Sequence, residues 1–204
     1  AYVRITVSRG EGEIGLDPAL CAHPTIVAVA TPLVPPPQAW YREGVGLVLV
    51  RVRRNTAAAL SPRIKSLNML NNILAKQEAH RAGAFDGVML NTAGHLTECS
   101  TSNLFFVRRG RLCTPAPECG LLEGITREVV LTLAREMGWP LDLGAFGPDD
   151  LLAADECFLT NTSLEVLPVQ CIDGKPVGSG RPGPVTTRLK AAFRANLERF
   201  LHLS

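Results

Sequence analysis

The chain has 204 residues, 46% hydrophobic and 20% charged, with a formal net charge of +2. That composition fits one large globular domain or two small ones, and its scattered basic residues offer no footprint for nucleic acid or a membrane surface. The apolar runs are strand-sized, so no bilayer-spanning helix is expected.

In chain order, residues 2–8 (YVRITVS) alternate as a strand, and the absence of a leading Met points to a segment before them. A glycine-rich loop, GEGEIGLDP, follows. Residues 25–33 (TIVAVATPL) form an apolar, β-branched run expected to be a buried strand. PPPQAWYREG is expected to be loop, residues 45–54 a strand ending in Arg53 and Arg54 at the surface, and NTAAALSPR a connector. From Ser66 on, Leu67, Leu70, Ile73, Leu74 and Gln77 recur at helical spacing up to Gly83. Two hairpins are expected next, FDGVMLN-TAG-HLTE and NLFFVRR-GR-LCTP. GITREVVLTLAREMG predicts a helix with Ile125, Val129, Leu133 and Met137 on one face and Gly138 as its stop. A short helix (PDDLLAAD), a strand (ECFLTNT), a strand and turn (LEVLPVQCIDGKPVG) and a last helix from about GPVTTRLKAAF to Leu201 complete the chain. Hairpins without a regular βαβ rhythm predict an α+β fold. No two of the six cysteines have C-x-x-C spacing, so free, mostly buried thiols of a reducing cytoplasm are expected, and no metal site.

Four stretches could carry chemistry. Lys65 sits between Ile64 and Leu67 at the entry to a helix, where burial is expected. A desolvated lysine is a nucleophilic amine, whereas a snorkelling one is only a surface charge. Glu98 ends a strand ahead of the polar run CSTSN, as a proton acceptor or a solvated turn acid. Gly124 opens a helix whose first N–H groups, at Ile125 and Thr126, could cradle an anion or simply be capped. Thr160, Asn161, Thr162 and Ser163 could bind phosphate or satisfy a turn. Together, a lysine amine, a carboxylate, a helix N-terminus and a hydroxyl cluster are the parts that hold pyridoxal 5'-phosphate.

The ordered series RIKSLNMLNNILAKQEAHRAGAFDGVMLN, GHLTECSTSNLFFV, LLEGITREVV, ADECFLTNTSLEVLPVQ and IDGKPVGSGRPGPVT resembles the class IV, fold-type IV pyridoxal-phosphate enzymes. These include branched-chain aminotransferases, D-amino-acid aminotransferases and aminodeoxychorismate lyases. The resemblance covers about residues 62–193. It implies an incomplete small N-terminal α/β domain (1–55), a connector (56–63) and a large C-terminal cofactor-binding domain (64–204), with the cofactor in the cleft between the domains. It makes Lys65 the Schiff-base lysine and Glu98 the acid at the ring nitrogen. Thr101 becomes a small polar neighbour of the cofactor, and Leu122 packs on the ring. Gly124, Ile125 and Thr126 form the phosphate cradle, and Asn161 and Thr162 the second phosphate and substrate-side cluster.

Two departures are visible. Leu70 stands where branched-chain enzymes carry a tyrosine five residues after the lysine, and GEGEIGLDP lacks the Arg-x-His pair of D-amino-acid enzymes. The resemblance implies a cytoplasmic homodimer moving an amino group between an amino acid, a branched-chain-like L-amino acid first, and a 2-keto acid. The alternative is an aminodeoxychorismate lyase releasing pyruvate and aminobenzoate.

Overall fold

This computed structural model describes residues 1–201. The chain divides into two compact units, Ala1–Pro35 and Pro36–Ser204. In the first, β1 (Tyr2–Ser8) pairs antiparallel with β2 (Thr25–Thr31), from Tyr2 opposite Thr31 to Ser8 opposite Thr25. The Arg9 guanidinium ties the connecting loop by donating to the carbonyls of Asp17 (3.1 Å) and Gly15 (3.2 Å). Contrary to expectation, β2 is exposed along its whole length. A two-stranded ribbon has two faces and encloses nothing by itself.

The second unit starts with a short helix, α1 (Gln38–Glu43), in the stretch expected to be loop. Then come β3 (Val45–Arg53), α2 (Leu70–Arg81), β4 (Asp86–Leu90), β5 (Leu96–Cys99), β6 (Asn103–Arg108), β7 (Arg111–Pro115) and α3 (Ile125–Glu136). They are followed by β8 (Leu141–Gly144), α4 (Pro148–Leu152), β9 (Glu156–Asn161), β10 (Glu165–Ile172), β11 (Lys175–Pro176), α5 (Pro184–Ala195) and α6 (Leu197–Leu201). Both expected hairpins form, β4–β5 and β6–β7. The last helix breaks at Asn196 into α5 and α6.

The nine-stranded sheet closes on itself. β10 pairs with β3, then β4, β5, β6 and β9 follow in turn, and β9 pairs back to β10. Among the described residues only the β10–β3, β3–β4 and β7–β8 pairings are parallel, so the α+β expectation holds. Because side chains alternate across a strand, each ring strand feeds two cores. Leu104 and Phe106 of β6, Cys157 and Leu159 of β9, and Leu167 and Val169 of β10 fill the interior. Their neighbours Phe105, Phe158 and Val166 pack outward against α3 and α5, with Phe105 and Phe158 stacked at 5.0 Å.

β3 belongs to this ring and lies in the compact unit that starts at Pro36, whereas residues 1–55 were expected to group with the small N-terminal domain. The edge hydrogen bonds of a buried strand hold it with the strands it pairs with, whatever precedes it in sequence.

Helix α2 also differs from expectation. Residues 64–69 form tight turns, and the helix begins only at Leu70. Its buried residues are Ala75 and Ala79, of which Ala75 packs against Val50 and Met89. Gly87 permits this approach, since a Cβ there would lie 2.5 Å from Val50 Cγ1 and 3.1 Å from the Ala75 carbonyl oxygen. Small residues thus face the sheet, and the expected apolar face of Leu67, Leu70, Ile73 and Leu74 is exposed. In α3 the buried face carries Thr126, Val130, Leu133 and Ala134, while Ile125 is 81% exposed. Gly138 follows with φ 72°, the left-handed stop expected of it.

Candidate active site

The β5–β6 turn, the end of β3, the 55–69 connection, the start of α3 and the β9–β10 turn surround one pocket of about 400 Å³. It is lined by residues of the Pro36–Ser204 unit. Lys65, Glu98, Thr101, Leu122, Gly124, Ile125, Thr126, Asn161 and Thr162 all line it. Residues almost a hundred positions apart meet because Glu98 lies opposite Asn103 on β6, and Asn103 lies opposite Thr160 on β9.

Glu98 is the most tightly held of them, at 5% exposure. Its Oε2 accepts from the Leu122 N–H (3.1 Å) and from Asn103 Nδ2 (3.3 Å), and its Oε1 pairs with Arg54 Nη2 at 3.1 Å. Burial pushes the carboxyl up to about 7, against the pull of Arg54, the Leu122 N–H and Lys65. Both acceptor sites of Oε2 are filled, while Oε1 keeps a free lone pair.

The α3 N-terminus offers unfilled donors. Gly124 supplies no side-chain cap, and Thr126 is buried beside it. The first-turn N–H groups of such a helix have no intrahelical partner and carry the positive end of its dipole. The Thr160 hydroxyl and Arg54 Nε are buried without a hydrogen-bond partner, and both residues line the pocket. Unsatisfied donors around a cavity with a helix N-terminus fit an anionic group.

The chain matches the sequence profile described as Amino-transferase class IV over residues 1–172. The chain belongs to the class IV aminotransferase family. A Methanocaldococcus jannaschii relative with a provisional branched-chain-amino-acid aminotransferase name is 40% identical over 95% of this chain and 66% of its own length. A D-alanine aminotransferase of Listeria monocytogenes is 43% identical over 64% of this chain and 45% of its own. The Escherichia coli branched-chain amino acid aminotransferase superposes with a TM-score of 0.91 at 31% identity, over 95% of this chain and 64% of that one. The T.th. branched-chain amino acid aminotransferase with pyridoxamine 5'-phosphate superposes with a TM-score of 0.88 at 32% identity, over 96% and 64%. The chain therefore spans about two thirds or less of the length of these relatives. Its architecture is that of the fold-type IV aminotransferases.

Within this class IV aminotransferase framework, several sequence expectations change. Lys65 lines the pocket but is exposed, because the 64–69 turns keep it off the packed sheet. Arg54, expected at the surface, is 9% exposed. Its N–H donates to the Leu90 carbonyl (2.8 Å), which extends the β3–β4 ladder one residue and turns the side chain to Glu98. Leu70 does not line the pocket, whereas its neighbour Met69 does.

Asn161 uses its whole amide locally. Its Oδ1 accepts from the N–H groups of Ser163 and Leu164, and its Nδ2 donates to Ser102 Oγ and the Thr101 carbonyl. Asn103 was missed altogether: its Nδ2 also donates to the Leu122 carbonyl at 2.7 Å, so one amide joins β5, β6 and the α3 entry. Gly124 is required by that amide, since a Cβ there would lie 2.4 Å from Asn103 Oδ1. The signal that could have found Asn103 was its place in TECSTSN, directly across a short turn from Glu98.

Proposed function

We propose that this pocket holds pyridoxal 5'-phosphate for the transfer of an amino group between an amino acid and a 2-keto acid. The observation that supports it best is the convergence on one pocket of Lys65, a buried Glu98 with a free acceptor site, and the uncapped start of α3. Bound there, the cofactor would supply an electrophilic carbon for the amine and a protonated ring to stabilise negative charge at the substrate carbon.

The chain's own residues would divide the work. Lys65 Nζ would be the covalent anchor and, once released, the base that moves the substrate proton. Its exposure lets it swing between these tasks. The free lone pair of Glu98 Oε1 would accept from the ring N–H, and Leu122 would pack on the ring. The N–H groups of Ile125 and Thr126 and the Thr126 hydroxyl would take the phosphate, joined by the hydroxyls of Thr160 and Thr162. Thr101 would lie beside the cofactor, and Asn161 would brace the Thr101–Ser102 turn against the β9 end.

The relatives named above are aminotransferases, which favours amino transfer over the lyase reaction. The branched-chain names favour an L-amino acid with an aliphatic side chain as donor. The exposed apolar residues of α2 support a homodimer, which sedimentation of the protein would reveal. All six cysteines are free, which suits a reducing cytoplasm.

Borohydride reduction of the cofactor-loaded protein followed by peptide mapping tests the anchor. A pyridoxyl group on Lys65 is expected, and one on any other lysine rejects this reading. A keto-acid acceptor assay then tests the reaction: turnover should require the acceptor, whereas a lyase makes pyruvate without one.

A further inference from the structure

The binding scheme leaves Arg54 unused, and the groups around it form an unusual ion-pair environment. The two N–H groups of Arg54 Nη1 are shared among three side-chain amide oxygens: Asn55 Oδ1 at 3.0 Å, Asn72 Oδ1 at 3.1 Å and Asn71 Oδ1 at 3.3 Å. Each asparagine is oriented by its own amide nitrogen, which donates to a backbone carbonyl. Asn55 donates to Leu60, Asn71 to Arg53 at 2.7 Å and Asn72 to Ser100 at 2.7 Å. The oxygens are thereby turned to the guanidinium.

All three acceptors are neutral. They occupy Nη1 without cancelling its charge, so the charge is left to a carboxylate. Among the described residues, Glu98 is the one carboxylate in ion-pair contact with Arg54. Both partners are buried, where such a pair is screened little by solvent. The other charges near Glu98 are Lys65, which also favours its ionised form, and Glu123 at the pocket wall, itself paired with Arg63 at 2.6 Å.

We propose that Arg54 is a positioning residue: clamped by three asparagine amides, it holds Glu98 as an oriented anion, so that the remaining lone pair of Oε1 is presented to the cofactor's ring nitrogen. The proposal rests on the pyridoxal-phosphate reading above. Asn72 also links the clamp to the turn that follows Glu98, through the Ser100 carbonyl. The first turn of α2, LNN, is in this scheme part of the site.

The test compares the full-length wild-type protein with Asn72→Asp, Arg54→Lys and Arg54→Met. Asn72→Asp keeps Arg54 and the side chain's shape, gives up the bond to the Ser100 carbonyl, and adds a second carboxylate that competes for the guanidinium. The Glu98 carboxyl, followed by carbon-13 NMR in cofactor-free protein, should titrate about one unit higher, a tenfold change in proton affinity. The Kd for pyridoxal 5'-phosphate at pH 8 should rise about twofold with it, because the ionised fraction of Glu98 falls from about nine tenths to about one half. Arg54→Met should shift both further, and Arg54→Lys should restore part of the loss.

Borohydride labelling of wild type separates the two readings. Without a Lys65 adduct, the cofactor reading fails and the proposal fails with it. With that adduct present, an unchanged Glu98 midpoint and Kd in Asn72→Asp and Arg54→Lys reduce Arg54 to a packing residue and overturn the proposal alone. Those two variants decide the matter even if Arg54→Met does not fold.

Discussion

The pocket has two unlike sides. Arg54, Glu98, Asn103, Thr126 and Thr160 are buried, and all but Thr160 and Thr126 are joined in one hydrogen-bonded network. Lys65, Thr101, Ile125 and Thr162 are exposed on the other side. The buried side is built on strand ends and the entry to a helix, which lock rotamers and set charge. The exposed side is carried by turns, where a side chain can move without disturbing the core. A group that must change partners during a reaction belongs on the second side, and one that must only hold a charge belongs on the first.

Removing the mobile amine should have the largest effect. Lys65→Ala is predicted to cost on the order of a thousandfold or more in transamination rate and to abolish the borohydride adduct. Because Lys65 is exposed, the same change should alter unfolding stability by only about 0.5 kcal/mol or less. A large drop in melting temperature would erase the distinction between the two sides.

Glu98→Gln probes the buried side, with an expected loss of about a hundredfold in rate. Its sharper signature is pH. Folded Glu98 titrates at about 7 against 4.5 for the free side chain, so the folded state holds this proton more tightly. The cofactor-free protein should therefore lose about 3 kcal/mol of stability as pH rises from about 4.5 to about 7, and no more from this group above that. Denaturant unfolding across this range should show the decline in wild type and a flatter profile in Glu98→Gln. Equal slopes would mean that Glu98 is not the buried acid described here.

Gly124→Ala should give a smaller, mixed effect. Its Cβ displaces Asn103 and so weakens the bonds to Glu98 and Leu122, an expected cost of about 1–2 kcal/mol. Cofactor affinity should fall while circular dichroism keeps its helical signal. The smallest effects are predicted for stability in Thr101→Ala and Ile125→Ala, within about 0.5 kcal/mol of wild type by chemical denaturation.

Much of this was legible in the sequence. The two hairpins, α3 and the α+β class follow from alternation, turn residues and helical spacing, which are local properties. Nine of the residues that line the pocket were also recoverable, through the order of their motifs. Other features were not. Arg54 reads as a surface charge because its burial depends on β4 pairing beside it and on asparagines from α2. Lys65 reads as buried because Ile64 and Leu67 flank it, yet the turns there expose all three. The apolar face of α2 reads as core, yet Ala75 and Ala79 take that place because only small side chains allow the helix to lie close over Gly87.

The sequence by itself determined most of the strands and helices and the chemical types available: an amine, an acid, an uncapped helix start and a hydroxyl cluster. Period and turn chemistry are written in neighbouring residues, so they survive without a partner. Which groups share a cavity, and which of them are charged there, was decided by closure of the six-strand ring of β10, β3, β4, β5, β6 and β9. That closure sets Glu98 opposite Asn103 and within reach of Arg54, and burial and ion pairing are properties of such distances.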